Sequence, residues 1–275
     1  MQRQGSPMEV DVSRRNMRDI EENVRRTVEE FQAKAEVTTR FKDPVIAYLS
    51  TTHPLFDTFF ARGENDHPKK IYRPGNTLIV HYVPWAEEII RSNQDGDRPS
   101  QAWMDADRDS LHLAMAINQT IRKTLNKVGR LHSNTSSMID WDKDLHRYSW
   151  SNKIAGFIAG IGTFGPAGSF RGCGMAGSPG SFGRVGSVST AALYAPEAEP
   201  MDSAALEAVF AKVMADCCFA GSGADCTEEM IAACPGGAIG PMGIDRAKCQ
   251  AHCAKLDPYV PAPESCGKCF RFAGR

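Results

Sequence analysis

The four cysteines nearest the C-terminus constrain this chain most. Cys234 stands directly before Pro235 in CPGGAI, Cys249 follows alone, and Cys266 and Cys269 form the pair CGKC. Whatever fold this region adopts must gather these thiols or leave them idle. A cysteine before proline, with small residues after it, suits a backbone wrapped around an iron–sulfur cluster, because glycine lets N–H groups come close enough to bond the sulfides. Zinc also accepts four thiolates, but its usual sequence form is two short C-x2-4-C knuckles, and one is present here. The pattern points to a single 4Fe-4S cluster, with zinc and unligated thiols as the alternatives.

At 275 residues and 42% hydrophobic, the chain can bury a sizeable core. Its formal net charge of -1 lacks the global basicity of many nucleic-acid binders, so tRNA is not an expected partner. Nine cysteines, clustered and odd in number, do not form a secreted disulfide scaffold; a reducing cytoplasm is expected. The N-terminal stretch MQRQGSPMEVDVSRRNMRDIEENVRR is charged throughout and reads as no signal peptide. Glycines and Pro166 break the longest uncharged run, between Lys153 and Arg171, so no membrane span is expected.

Met17, Ile20, Val24, Val28 and Phe31 recur at steps of three and four and predict an amphipathic helix from about 13 to 35. PVIAYLS at 44–50 and TLIVHYVPW at 77–85 predict strands, the second apolar enough to be central. Leu111, Met115, Ile121, Leu125 and Val128 predict one buried face of a helix within 103–128, capped by Gly129. RVGSVSTAALY at 184–194 predicts a further strand, and APEAEPMDS at 195–203 a linker before a helix at about 204–218. Alternating elements of this kind indicate an α/β or α+β layer domain. The division expected is a helical segment at 1–43, the layer domain at 44–200 and a cysteine module at 201–275.

WSNKIAGFIAGIGTFGPAGSF at 150–170, GRVGSVSTAAL at 183–193, CPGGAI, the lone Cys249 and CGKC, in that order, resemble the epoxyqueuosine reductase-like iron–sulfur proteins, relatives of the core of corrinoid-dependent reductive dehalogenases. The resemblance covers roughly residues 44–270. It implies a nitroreductase-like, corrinoid-reductase-like α/β layer followed by a small ferredoxin-like module. Cys234, Cys249, Cys266 and Cys269 match the ligands of the family's second cluster. The family's first cluster needs thiols where this chain has Thr227 and Met230, so one cluster is implied. In AGIGTFG, the positions Gly160, Gly162, Thr163, Phe164 and Gly165 correspond to a wall against a cobalamin or other corrinoid, although the chain departs from the family after Gly165. The family's proton donor is an aspartate whose closest local match lies in DADRDSLH at 105–112, making Asp109 the catalytic candidate and Asp107 the reserve.

The function implied is an oxidoreductase passing single electrons from the cluster to a corrinoid or a bound organic substrate, with a ferredoxin or flavodoxin as donor. The alternative is a ferredoxin-like carrier or corrinoid-handling partner without turnover. Cys217, Cys218, Cys226 and Cys253 read as free thiols or as a rearranged second cluster, and Cys253 as the substitute for Cys249, one helical turn away. Cys173 reads as a small packed residue, and His81, in a buried strand, as a hydrogen-bonded core residue.

Overall fold

The computed structural model describes residues 7–133, 140–144, 146–165, 169–172, 182–216, 227–241, 243–256 and 266–269. Cys173, Cys217, Cys218 and Cys226 lie outside them, so the packing reading of the first and the second-cluster reading of the others fall outside the described residues.

A three-stranded antiparallel sheet organises the chain. β2 (Thr77–Pro84) is central, with β1 (Val45–Ser50) on one side and β7 (Gly183–Thr190) on the other. Every residue of β2 is buried, which explains why its sequence is a continuous apolar run rather than an alternation. Its side chains still alternate between two cores. Ile79 and Val83 face one, with Val188 opposite Ile79; Leu78, Val80 and Tyr82 face the other, with Val185 opposite Tyr82. The protein is therefore mixed helix and sheet, and its sheets are small and antiparallel.

The first core lies under α1 (Pro7–Gln32) and α5 (Gln101–Lys127), where Ile20, Val24, Val28 and Phe31 are buried as their spacing predicts. Thr27 and Thr120 hydroxyls share a hydrogen bond of 2.8 Å across the helix pair. The inner face of α5 differs from the sequence expectation. Leu111, Met115 and Val128 are exposed, and the buried stripe is Trp103, Ala106, Ser110, Leu113, Ile117, Ile121 and Leu125. Ile121 and Leu125 are buried as expected, but close packing against α1 and β7 favours Ala and Ser further up the helix, which an apolar-only count passes over. The cap at Gly129 does occur, with φ of 66°.

The second core lies under α2 (Pro54–Ala61), α6 (Asn152–Ile158) and α7 (Ser203–Asp216). Phe56 and Phe59 of α2 are almost wholly enclosed, each such burial stabilising by roughly 1.5–3 kcal/mol. Phe59 meets Phe210 of α7 edge-on at 5.3 Å, so the helix after the linker packs on the layer domain. The hairpin of β5 (Gly162–Gly165) and β6 (Ser169–Gly172) closes this side. α3 (Pro68–Ile71), α4 (Glu87–Ser92) and the exposed hairpin β3 (Trp141–Asp142) and β4 (Arg147–Tyr148) complete the body.

The C-terminal region holds α8 (Glu228–Ala233), the two-residue strands β8 (Ile239–Gly240) and β9 (Gly243–Ile244), and α9 (Arg246–Leu256). Met230 and Ile239 form its small core. Among the described residues no helix is long and apolar enough to cross a membrane.

Candidate metal centre

The cysteine region is assembled from three local devices. Thr227 caps α8 by accepting from the Met230 N–H, and Pro235 follows Cys234 at the helix end, where a proline stops further winding. The chain then turns so that the Ala238 N–H donates to Cys234 Sγ at 3.3 Å. Gly236 is needed because a β-carbon there would lie 2.8 Å from His252 Cβ, so this loop rides directly on α9.

α9 supplies Cys249 and Cys253 one turn apart on one face, and the two thiols are hydrogen-bonded. The CGKC knuckle is the third device. Asn93, at the end of α4, donates to the Cys266 carbonyl at 3.2 Å, and Gly267, with φ of 60°, lies against the indole of Trp103. Trp103 stands edge-on to Trp85 at 4.9 Å and to Phe182 at 6.0 Å, so an aromatic cluster floors the knuckle.

Burial and neighbouring sulfurs both act on three of these thiols. The hydrogen bond to Cys253 comes first among the causes that raise the Cys249 thiol pKa, then burial, then the neighbouring sulfurs of Cys253, Cys269 and Cys234. Burial raises Cys269 well above the usual thiol range, helped by Cys266 and Cys234 and opposed by Lys153 at the start of α6. Burial likewise pushes Cys266 up to about 11, while the Lys268 backbone N–H pulls it back. Cys234 and Cys269 also pack against the same Met230–Ile239 core.

Cys253 is 1% exposed and lies one turn from Cys249 on α9. Among the described residues no group of three or more His, Cys, Asp or Glu is placed to hold a metal. Four sulfurs around one zinc ion lie about 4 Å apart.

The other site candidates are scattered. Phe164 is buried in the second core, edge-on to Phe170 at 5.7 Å, and Gly162 and Gly165 are buried beside it. Gly160 and Thr163 are exposed. Asp109 lies in the α1–α5 layer, on the opposite side of the central sheet from Phe164. It is also not in a first helical turn, since α5 begins at Gln101. Its Oδ2 accepts from Thr39 Oγ1 at 2.6 Å, and it lines an open cleft of about 520 Å³ with Lys34, Glu36, Arg108 and His112. Asp107 is pinned by Arg184, Nη2 to Oδ1 2.6 Å. His81 is the core residue expected: fully buried, bonded to Asn118 at 2.9 Å, its pKa lowered by burial to about 4.

Sequence reasoning passed over Asn93, Trp103 and Lys268, which hold the knuckle in place. Only the lysine between the two cysteines offered a local signal. No family model, curated protein or solved structure matches the chain.

Proposed function

We propose that this protein is a single-electron iron–sulfur protein of the epoxyqueuosine reductase-like group, holding one 4Fe-4S cluster on Cys234, Cys249, Cys266 and Cys269. The observation that supports the reading is the order CPGGAI, Cys249 and CGKC in the sequence, with Cys234 and Cys269 packed on one small core; among the described residues no three His, Cys, Asp or Glu are placed to hold a metal ion. A cube of four irons offers one metal to each thiolate and so spreads them wider than zinc does. When bound, the cluster supplies reversible one-electron chemistry. The chain supplies the ligands, of which Cys266 is buried and the others half-buried, and the N–H of Ala238 on Cys234. A nitroreductase-like layer, a ferredoxin-like module and a cytoplasmic location belong to the same proposal.

The resemblance extends this to an oxidoreductase with Asp109 as proton donor and a corrinoid over Gly160, Gly162, Thr163, Phe164 and Gly165. A second reading, an electron carrier that exchanges electrons with a ferredoxin, a flavodoxin or a corrinoid protein, has a specific observation in its favour. Asp109 and Phe164 stand on opposite sides of the sheet, and Phe164 is committed to the core. No step through a corrinoid is derived for that reason.

One experiment separates the two. Anaerobically reconstituted protein is titrated with dithionite and then offered cobalamin or an acidic ferredoxin. Uptake of about one electron per chain supports the shared core of both readings. Cobalamin binding with turnover selects the oxidoreductase, and electron exchange with the ferredoxin alone selects the carrier. Protein that takes up no electrons contradicts both.

A further inference from the structure

β1 is an edge of the central sheet, and its outer rim is unpaired among the described residues. The Thr51 N–H donates to the Asn76 carbonyl at 3.1 Å, which fixes the alternation of the ladder: Val45, Ala47 and Leu49 turn both backbone groups toward β2, and Ile46 and Tyr48 turn theirs away. Peptide planarity then aims the Pro44 carbonyl and the Ser50 N–H outward as well. Only the Ser50 carbonyl on this rim is occupied, by the His53 N–H at 3.2 Å. Edge strands are commonly guarded by a lysine, a proline, a bulge or a covering element. VIAYLS has no charge and no proline, and its register with β2 runs unbroken from Val45 to Ser50. Its apolar side chains are half-buried on both faces, Val45 and Ala47 against the second core, Ile46 and Tyr48 against the first.

We propose that β1 pairs antiparallel with β1 of a second copy of this chain, about a two-fold axis at Ala47, joining the two three-stranded sheets into one. What commits this edge to its own copy is that the register centred on Ala47 complements itself. Ile46 of each copy lies opposite Tyr48 of the other, and the two exchange both backbone bonds. Pro44 lies opposite Ser50: the proline has no N–H to give, the Ser50 carbonyl is already bonded to His53, and the Ser50 N–H meets the Pro44 carbonyl. Moving the axis to Ile46 sets the Tyr48 carbonyl against Pro44, and moving it to Tyr48 sets the Ile46 N–H against the occupied Ser50 carbonyl. In the Ala47 register Val45 stands beside Leu49 on one face and Ile46 beside Tyr48 on the other, both favourable cross-strand pairs. Lys42 and Asp43, just before the strand, fall toward Thr51 and Thr52, so no like charges meet.

The test is sedimentation of the full chain at micromolar concentration, together with oxidative cross-linking of Ala47→Cys. Wild type is expected to be a dimer. Ile46→Pro removes an outward N–H that β2 does not use, and is expected to be monomeric and folded by circular dichroism. Oxidised Ala47→Cys is expected to give a dimer linked from position 47 to position 47, identified by peptide mass, because facing residues of a non-hydrogen-bonded antiparallel pair lie about 4.5 Å apart, within disulfide reach. Val45→Cys, whose two copies stand about 14 Å apart along the strands, is expected not to link. Monomeric wild type, a dimer that survives Ile46→Pro, or linking at position 45 but not at 47 overturns the inference. If Ile46→Pro does not fold, the link at position 47 decides alone, and its absence overturns the proposal.

Discussion

Replacing Gly267 with alanine probes the tie between knuckle and body. A β-carbon at this position would lie 2.0 Å from Cζ2 and 2.2 Å from Cε2 of Trp103, in a backbone with φ of 60°. The left-handed conformation costs an L-residue about 1–2 kcal/mol. Forcing a methyl into packed contacts typically adds about 1–3 kcal/mol. Trp103 cannot swing aside freely, because it is 2% exposed and wedged between Trp85 and Phe182. Against this stand the bonds from Lys268 to Asn93 and Asp95 and from Asn93 to Cys266, each worth about 0.5–3 kcal/mol net. The two sums are comparable, so the knuckle should release locally while the sheet and its helices stay folded. Gly129→Ala is the matched control: φ is 66° there, but nothing lies within 4 Å, leaving only the backbone cost. Iron content after anaerobic reconstitution and urea unfolding are measured for both. Gly267→Ala is expected to lose most of its iron with a nearly unchanged urea midpoint, and Gly129→Ala to keep its iron while losing about 1–2 kcal/mol of stability. Full iron in Gly267→Ala would refute the docking argument.

Other outcomes follow from the body of the protein. His81 titrates near 4 when folded against 6.5 for the free side chain, so the unfolded chain takes its proton first; stability should fall as pH drops from about 6.5 toward 4, by up to about 3 kcal/mol, and His81→Gln should flatten that part of the urea–pH profile. Arg184→Met leaves Asp107, 3% exposed, without its 2.6 Å partner, and should cost about 3–5 kcal/mol by urea unfolding, whereas a cost under about 1 kcal/mol would show that the pair is not structural. Asp109→Asn should retain iron and cluster reduction by dithionite, read by absorbance, because Asp109 is bonded to Thr39 and lines a cleft with Lys34, Glu36 and His112 that includes no cysteine. Loss of iron in that variant would tie Asp109 to the cysteine region.

Much of the scaffold was legible because its signals are local. The buried run 77–85 announced a central strand, and the three-and-four spacing from Met17 to Phe31 announced the first helix. On α5 the same reasoning failed on the inner face, where Ala106 and Ser110 pack closely while Leu111 and Met115 face solvent. CPGG and CGKC single out the thiols in the sequence, and the fold adds the surroundings of the knuckle. Its supports were not, since Asn93 and Trp103 meet the knuckle only through the folded chain, far from it in sequence. The glycine-rich stretch, part helix and part strand, is ambiguous in a different way: glycine permits close approach to a cofactor or to a neighbouring side chain, and the sequence does not distinguish them. At Gly156 the neighbour is Phe170, 2.9 Å from where a β-carbon would stand.

The central claim is that four particular thiols hold one cluster while a fifth stands beside them. Iron, sulfide and zinc are best counted in anaerobically reconstituted wild type and in five single Cys→Ser variants, at 234, 249, 253, 266 and 269. Wild type and Cys253→Ser should carry about four irons and no zinc, and each of the other four should lose the cluster absorption. Tightly held zinc in the wild type, about eight irons per chain, or loss of iron on Cys253→Ser with retention on Cys249→Ser would contradict the account.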